Sequence, residues 1–417
     1  MSSDQNSQPA TNPAILAFAA GTWRWPEVYG STRYHLWNLA GRGWPVVYVE
    51  PPVRFHALGS TWTAPDRPFQ VVTPARVTPF GVRMVKSRGL GENLRGLAGR
   101  ELAKRGLRAA NSLKWKPQVY WFGAPWHMAI LEHLPKDVVS VCHVYDELAV
   151  SPAFNELQKS LLWAWERELL RSCAVAFCSS QPQFDRREDI SPRPFLLENC
   201  VPDYYLYEPS RPYPIDPQTK NYLDRIKAIP GPRFVYGGVV DHRLDPDILR
   251  ALIEYLPVGD LVFLGKKDPS FDAVFDREVA QNPRVHFLGD VPHHCYPALY
   301  READVLLIPH KRNDFTNAMY PEKLNEYLAS GRPIVSTNIS EVARTVRESV
   351  YEGAIRTADS PMEFLSAVSV AMADKHALLE EKRVLMAREH TWSKGVDRIE
   401  IELRMALKLA GGIPGGI

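Results

Sequence analysis

A chain of 417 residues is too long for one ordinary hydrophobic core and fits two domains of about 200 residues each. Hydrophobic content of 45% with 24% charged residues is that of a soluble globular protein, and a net charge of +2 gives no global field for nucleic acid, so no nucleic-acid partner is expected. No apolar run approaches the ~18 residues that span a bilayer, and the polar first thirteen residues lack a basic segment ahead of a hydrophobic one, so a cytoplasmic location is expected.

From Ala14 the pattern repeats strand, turn and helix. Apolar runs at Ile15 to Ala19, Val46 to Val49, Gln118 to Phe122, Val138 to Val144 and Ala174 to Cys178 each end in turn residues, among them Gly21, Pro51, Gly123 and Asp146. Short apolar runs separated by helical stretches read as parallel strands covered on both faces, which makes one doubly wound unit. Between 83 and 116, ten Lys or Arg accompany only two Glu, and Leu90, Leu94 and Leu97 recur at helical spacing. That pattern suits a basic surface helix lying on anionic lipid, and it equally suits a helix whose leucines face a core.

The rhythm breaks between 202 and 232, where prolines stand at 202, 209, 212, 214, 217, 230 and 232. The alternation then restarts with strands at Phe234 to Tyr236, Leu261 to Leu264, Val285 to Leu288, Val305 to Ile308 and Ile334 to Ser336. Helices fall from about Asp247 to Leu256, around Tyr296 to Ala303 and after Pro321, and the chain closes on an amphipathic stretch from Val396 to Leu409. The domains expected are 14–205 and 233–390, joined by a linker at 206–232 and followed by a C-terminal helix and tail at 391–417. The architecture is α/β: two doubly wound Rossmann-like domains facing a cleft, with a C-terminal crossover helix and ligands beyond the carboxyl ends of the strands.

Five cysteines (Cys142, Cys173, Cys178, Cys200 and Cys295) are odd in number and lack CxxC spacing. Buried free thiols are expected, with no metal site and no disulfide framework.

The stretch YPEKLNEYLASGRPIV, residues 320 to 335, carries the most chemistry. Pro321 suits a first helical position, and Gly331 followed by Pro333 closes the helix. Lys323 and Glu326, three apart, project from one face, while Leu324 and Leu328, four apart, supply a packing face. A lysine in the first turn adds to the positive end of the helix dipole and suits an arriving anion, a diphosphate being the natural one. The same spacing also suits a solvated ion pair. Gly237, Gly238, Gly265 and Gly289 fall where three successive strands end, where a backbone can approach a ligand closely or merely turn.

The segments FVYGGVVDHRLD (234–245), VFLGKKD (262–268), VHFLGDVPHHCYPALYREADVLLIPH (285–310) and YPEKLNEYLASGRPIVS (320–336) resemble, in order and spacing, the donor half of GT-B glycosyltransferases. The likeness is to the glycosyltransferase 4 type and to bacterial polysaccharide glucuronosyltransferases, over about 100 residues. It implies that 233–390 holds a nucleotide-diphosphate sugar, UDP-linked first, and that 14–205 holds a saccharide or lipid-linked acceptor. On this resemblance Glu326 bonds the ribose and Lys323 neutralises the diphosphate. Tyr320 edges the donor pocket, Gly238 and Arg243 meet the phosphates, and the turn from Gly289 to Val291 meets the base. The E-x7-E pattern of retaining relatives needs an acid where this chain has Ala318, which favours relatives that invert with an aspartate.

A lysine and fixed donors at the leaving diphosphate stabilise the charge that develops there, so no metal or cofactor is expected. Asp245 and Asp247 have Asp-x-Asp spacing but read as a helix cap and first turn. Inversion needs a base, and Asp146, after a strand end, is the first candidate, followed by Glu147 and His127. Thr22, Trp23, Arg24 and Trp25 are candidates for stacking on an acceptor sugar. The function expected is sugar transfer in cell-surface polysaccharide or glycolipid synthesis at the inner face of the plasma membrane, with peripheral contact through residues 83–116. The alternatives are a nucleotide-sugar 2-epimerase, with His242, His293, His294 and His310 as its loose candidates, and a non-catalytic nucleotide-sugar-binding partner.

Overall fold

The computed structural model describes residues 12–21, 31–52, 60–74, 81, 85, 90–268, 279, 281–374 and 377–411. The chain divides into two compact units, one formed by Met1–Glu198 with Gly395–Ile417 and the other by Asn199–Lys394.

The first unit contains β1 (Ala14–Phe18), β2 (Val46–Val49), β3 (Thr61–Thr63), β4 (Phe69–Val72), β5 (Pro117–Phe122), β6 (Val139–Val144), β7 (Val175–Cys178) and β8 (Pro194–Leu196). They form one sheet in the order β3-β4-β2-β1-β5-β6-β7-β8, parallel except for the antiparallel β3–β4 pair at one edge. The central strands are buried on both faces, as unbroken apolar runs require. Ile15, Ala17, Val46, Trp121 and Phe177 pack on one side with Val396, Ile399 and Leu403 of the last helix, Trp392–Leu409. Leu16, Phe18, Val47, Tyr120 and Phe122 pack on the other with Leu102 and Ala103 of the helix Leu90–Ser112 and Leu169 of the helix Glu156–Arg171. Alternation by one residue thus sends neighbouring side chains to opposite cores.

Within Leu90–Ser112 two glycines allow close approaches, Gly99 to the helix Met128–Leu131 and Gly106 to β1. A methyl group on Gly99 would lie 1.8 Å from the Ala129 carbonyl oxygen, and one on Gly106 would lie 2.9 Å from Leu16 Cδ1. Leu97 of this helix is 59% exposed.

The second unit contains β9 (Arg233–Gly237), β10 (Asp260–Leu264), β11 (Val285–Gly289), β12 (Val305–Ile308), β13 (Ile334–Thr337) and β14 (Ile355–Ala358). Its sheet is wholly parallel, in the order β11-β10-β9-β12-β13-β14. The order reverses between β9 and β12, the topological switch point at which such sheets bind ligands. Val235, Val262, Leu306 and Ile334 face Leu299, Leu324 and Leu328, while Phe234, Phe263, Leu307 and Val335 face Leu249, Leu252 and Phe364.

The segment expected as a linker, 206–232, belongs to this unit's core instead. Asp216 accepts a hydrogen bond from the Thr219 N–H and opens the helix Pro217–Lys227, whose Leu223 and Ile226 are buried. Pro217 stands in the first turn, where its missing N–H costs nothing, so this proline starts a helix rather than preventing one. The boundary moves back to Glu198 and Asn199, and the last helix returns the chain to the first unit. All five cysteines are buried free thiols. The described residues include no helix long and apolar enough to cross a membrane.

Candidate active site

The helix Glu322–Ser330 begins after Pro321 and ends at Gly331, whose φ of 75° forms a left-handed cap. Pro321 is therefore the capping residue rather than the first helical one. Tyr327 and Leu328 face the core, and Lys323 and Glu326 share the other inward face. Glu326 Oε2 accepts from the Tyr300 hydroxyl at 2.9 Å, and Oε1 lies 3.2 Å from His293 Nε2. Tyr205 braces that imidazole, its hydroxyl 2.8 Å from Nδ1 and 2.6 Å from the His293 carbonyl oxygen. Burial would raise the Glu326 carboxyl, but the His293 hydrogen bond and charge, the Tyr300 hydroxyl and Lys323 outweigh it and hold it below its ordinary value. Glu326 is thus an ionised carboxylate, braced at both oxygens.

Lys323 is buried, with its Nζ 5.0 Å from the centroid of the Tyr236 ring. Its ammonium has no hydrogen bond or ion pair among the described residues. Burial first, and then the Arg243 charge, push it down to about 7 against the opposing pull of Glu326, Asp241 and Glu322. A buried lysine with no counter-ion in contact is a site prepared for an anion.

The strand-end glycines divide by cause. Gly238 has φ of 114°, its N–H donates to the Leu264 carbonyl at 2.7 Å, and a methyl group there would stand 3.7 Å from Lys323 Nζ. Gly265, with φ of 147°, lets the β10 turn press on the β9 turn, since a methyl group would fall 2.1 Å from the Gly238 carbonyl oxygen. Gly289, with φ of 82°, has open space where a side chain would be. Gly237 differs in its neighbour, because a methyl group would strike the Tyr300 hydroxyl at 2.2 Å; its N–H, like that of Gly238, is already occupied, by the Tyr327 hydroxyl at 2.7 Å. Its small size is explained by packing rather than by a ligand.

Arg243 is tied to Asp241, with Nε 2.8 Å from Oδ1 and Nη2 2.7 Å from Oδ2. The expectation for Tyr320 is corrected. The Val291 side chain is in the core, leaving only its backbone for a base, and Tyr320 is buried. The Tyr320 hydroxyl donates to Asn325 Oδ1 at 3.3 Å and its carbonyl accepts from Asn199 Nδ2 at 2.8 Å, so this ring packs and does not edge a pocket. Ala318 is buried at the end of the short helix Asp314–Asn317. Asp245 accepts from the N–H groups of Asp247 and Ile248 and is committed to capping.

In the first unit the three base candidates have different environments. Asp146 is exposed in the turn after β6. Glu147 is 1% exposed and binds Arg187, with Oε2 2.8 Å from Nη1 and Oε1 3.1 Å from Nη2. Arg187, itself fully buried, also donates from Nε to Glu166 at 2.6 Å. Glu147 is therefore corrected from a base to an anchor. His127 is also buried; its Nδ1 accepts from the Gly123 N–H at 3.2 Å, and burial, only partly offset by a backbone hydrogen bond to Ala19, pushes it down to about 3. A neutral imidazole closed from solvent is a turn brace, not a general base. Residues 22–25, offered for acceptor stacking, lie outside the described residues.

Tyr205, Tyr236, Asp241 and Tyr300 were not identified from sequence. Asp241 meets Arg243 only two residues on, but the roles of the three tyrosines depend on approaches across the fold, such as the 88 residues separating Tyr205 from His293.

Residues 246–374 match the protein family described as glycosyl transferases group 1. The whole chain is similar in fold to sucrose-phosphate synthase from Thermosynechococcus elongatus, with a TM-score of 0.70, 14% identity, and coverage of 95% of this chain and 100% of that one. It is similar also to α,α-trehalose 6-phosphate synthase from Burkholderia multivorans (TM-score 0.65, 13% identity, 96% and 99% covered). A third likeness is to the E. coli trehalose-6-phosphate protein bound with UDP-2-fluoro glucose (TM-score 0.59, 10% identity, 96% and 100% covered). The fold is that of GT-B glycosyltransferase structures, and the group 1 match falls within the second unit. Among curated proteins, 157 residues are 25% identical to a Bacillus subtilis (strain 168) protein described as a teichuronic acid biosynthesis glycosyltransferase, TuaH. That match spans 37% of this chain and 39% of the relative's length.

Proposed function

We propose that this glycosyltransferase moves a sugar from a nucleotide-diphosphate donor, UDP-linked first, to a saccharide or lipid-linked acceptor in cell-surface polysaccharide or glycolipid assembly. The observation that carries the reading is the buried Lys323 ammonium, without a counter-ion, beside the left-handed Gly238 turn. Glu326 would accept from the ribose hydroxyls, Gly289 and the Val291 backbone would flank the base, and the charge growing on the leaving diphosphate would be met by Lys323 rather than by a metal. The UDP-sugar analogue held by the E. coli protein of like fold supports that donor class. The group 1 match favours transfer over 2-epimerisation and over binding alone.

With no acid at Ala318, inversion is the favoured course, and Asp146 is the base that would take the acceptor proton. The exposed Leu97 on a basic helix favours contact with anionic lipid at the inner face of the plasma membrane over a purely core-facing stripe. The test is a thermal-shift and calorimetric screen of the purified chain against UDP, GDP, TDP and CMP and their common sugars, without added metal. A saturable preference for one diphosphate, lost in Lys323→Ala, is the expected result. Silence across the panel would leave the fold and remove the ligand.

A further inference from the structure

The donor reading leaves one buried group unused. His310 follows β12 at 0% exposure, and neither ring nitrogen has a hydrogen-bond partner. A neutral imidazole carries one donor and one acceptor, so both are idle in a place that water does not reach. Its backbone is fixed by the loop that carries Arg243: His310 pairs with Leu244, the Pro309 carbonyl accepts from the Asp245 N–H at 2.8 Å, and the Lys311 N–H donates to the Arg243 carbonyl at 2.7 Å. The His310 ring centroid is 6.2 Å from that of Tyr236, the ring against which Lys323 also stands.

Two buried basic groups therefore share one aromatic platform, and neither has a carboxylate in hydrogen-bond contact. The charged groups around them are accounted for. Asp241 is occupied by Arg243, Glu326 by His293 and Tyr300, and Glu322 lies on the lysine's own helix. Burial, followed by the charges of Lys323 and Arg243, pushes His310 well below its ordinary value, so the imidazole is neutral and can accept a hydrogen bond.

We propose that Lys323 and His310 act as one proton-accepting pair, His310 positioning the lysine ammonium for a phosphoryl oxygen, so that a nucleoside-diphosphate sugar binds together with a proton. The proposal rests on the donor reading above. Without a bound anion, burial and the Arg243 cation oppose a charged Lys323. The two negative charges of a diphosphate diester reverse that balance. A proton from solvent lands on Lys323 Nζ, one ammonium N–H is accepted by a bare His310 ring nitrogen, and another reaches a phosphoryl oxygen. No bond to phosphorus forms or breaks in this step.

Calorimetry on the full chain with UDP-glucose, GDP-mannose and dTDP-glucose tests it, because their diphosphate diesters keep constant charge between about pH 6 and 9. Each titration is run in two buffers of different ionisation enthalpy, so that proton uptake is read directly. A sugar nucleotide that binds is expected to take up roughly half to one proton per molecule at about pH 8 and close to none at about pH 6. Lys323→Arg, charged at every working pH, should bind with no uptake. His310→Phe should weaken binding roughly tenfold at about pH 8, and His310→Gln, which can still accept a hydrogen bond, should recover most of that loss.

Binding without uptake in the wild type would overturn the pairing and leave the donor reading standing, whatever the variants do. Unchanged affinity and uptake in a folded His310→Phe would remove His310 from the pair. Failure of all three sugar nucleotides to bind would overturn the donor reading and the pairing with it.

Discussion

Asp146 and Glu147 leave the end of β6 for opposite environments, Glu147 locked by two hydrogen bonds onto the buried Arg187 and Asp146 open to solvent. The pair acts as anchor and tip, because the first carboxylate fixes the turn from which the second projects. Asp146→Asn should keep nucleotide-sugar affinity and melting behaviour near wild type while lowering transfer by ~10²- to 10⁴-fold. Retained turnover would place the base elsewhere. Glu147→Gln should instead cost stability, ~3–5 kcal/mol in urea denaturation, because it leaves Arg187 undercompensated inside the unit.

Replacing Lys323 should separate stability from function. Its folded-state value of about 7 lies below the ordinary 10.5, so the unfolded chain binds more protons across that interval. The stabilisation lost is nil above about pH 10.5, grows as pH falls, and is complete below about pH 7. Lys323→Met should therefore raise the unfolding free energy at pH 7 by ~1–4 kcal/mol and abolish diphosphate binding. A destabilised variant would show that the lysine has a counter-ion in solution.

Glu326→Ala removes the acceptor for both His293 and Tyr300. It should lower stability by ~1–3 kcal/mol. It should also weaken nucleoside diphosphates roughly tenfold while leaving inorganic pyrophosphate within about twofold, since only the former carry ribose. Equal loss for both ligands would argue against a ribose contact.

Alanine at the strand-end glycines should grade by the neighbour it strikes. Gly265→Ala meets the Gly238 backbone at a left-handed φ and should be the most damaging. Gly237→Ala meets the Tyr300 ring and should cost ~1–3 kcal/mol. Gly289→Ala, with open space around it, should cost only the strain of its φ, about 1 kcal/mol. Urea midpoints of the three variants give the ranking directly.

Acid should unfold this protein earlier than its carboxylates alone would. His35, His127, His143 and His310 are all held below 6.5 chiefly by burial, His127 and His143 at about 3. Their stabilisation is complete above about pH 6.5 and is lost as pH falls toward those values, at up to ~1.4 kcal/mol per pH unit for each group. Three of the four belong to the first unit, so its transition should move further between pH 7 and 5. A flat profile over that range would contradict the assignment.

The sheet strands that carry long apolar runs could be read from sequence to within a residue or so. The omitted strands each lack the signal. β3 is largely exposed, β8 begins with a proline, β4 interrupts its apolar run with Gln70, and β14 is half-exposed at an edge. Proline density misled at 206–232 because local punctuation looks the same at a helix start as in a linker. In the candidate site, the shared face of Lys323 and Glu326 follows from helical spacing alone. What holds those two groups does not, since Tyr300 stands 26 residues from Glu326 and nothing in either neighbourhood marks the pairing. Tyr320 was misplaced for a related reason, because proximity in sequence to a site does not fix which way a side chain turns.

The return of the last helix to the first unit has a consequence for synthesis on the ribosome. Val396, Ile399, Leu403 and Leu407 complete one of the two cores of that unit, yet they are translated only after the whole of Asn199–Lys394. The second unit, continuous in the chain, can finish folding during translation. The first must wait with an uncovered sheet face until the final helix emerges, and in that interval it depends most on chaperones.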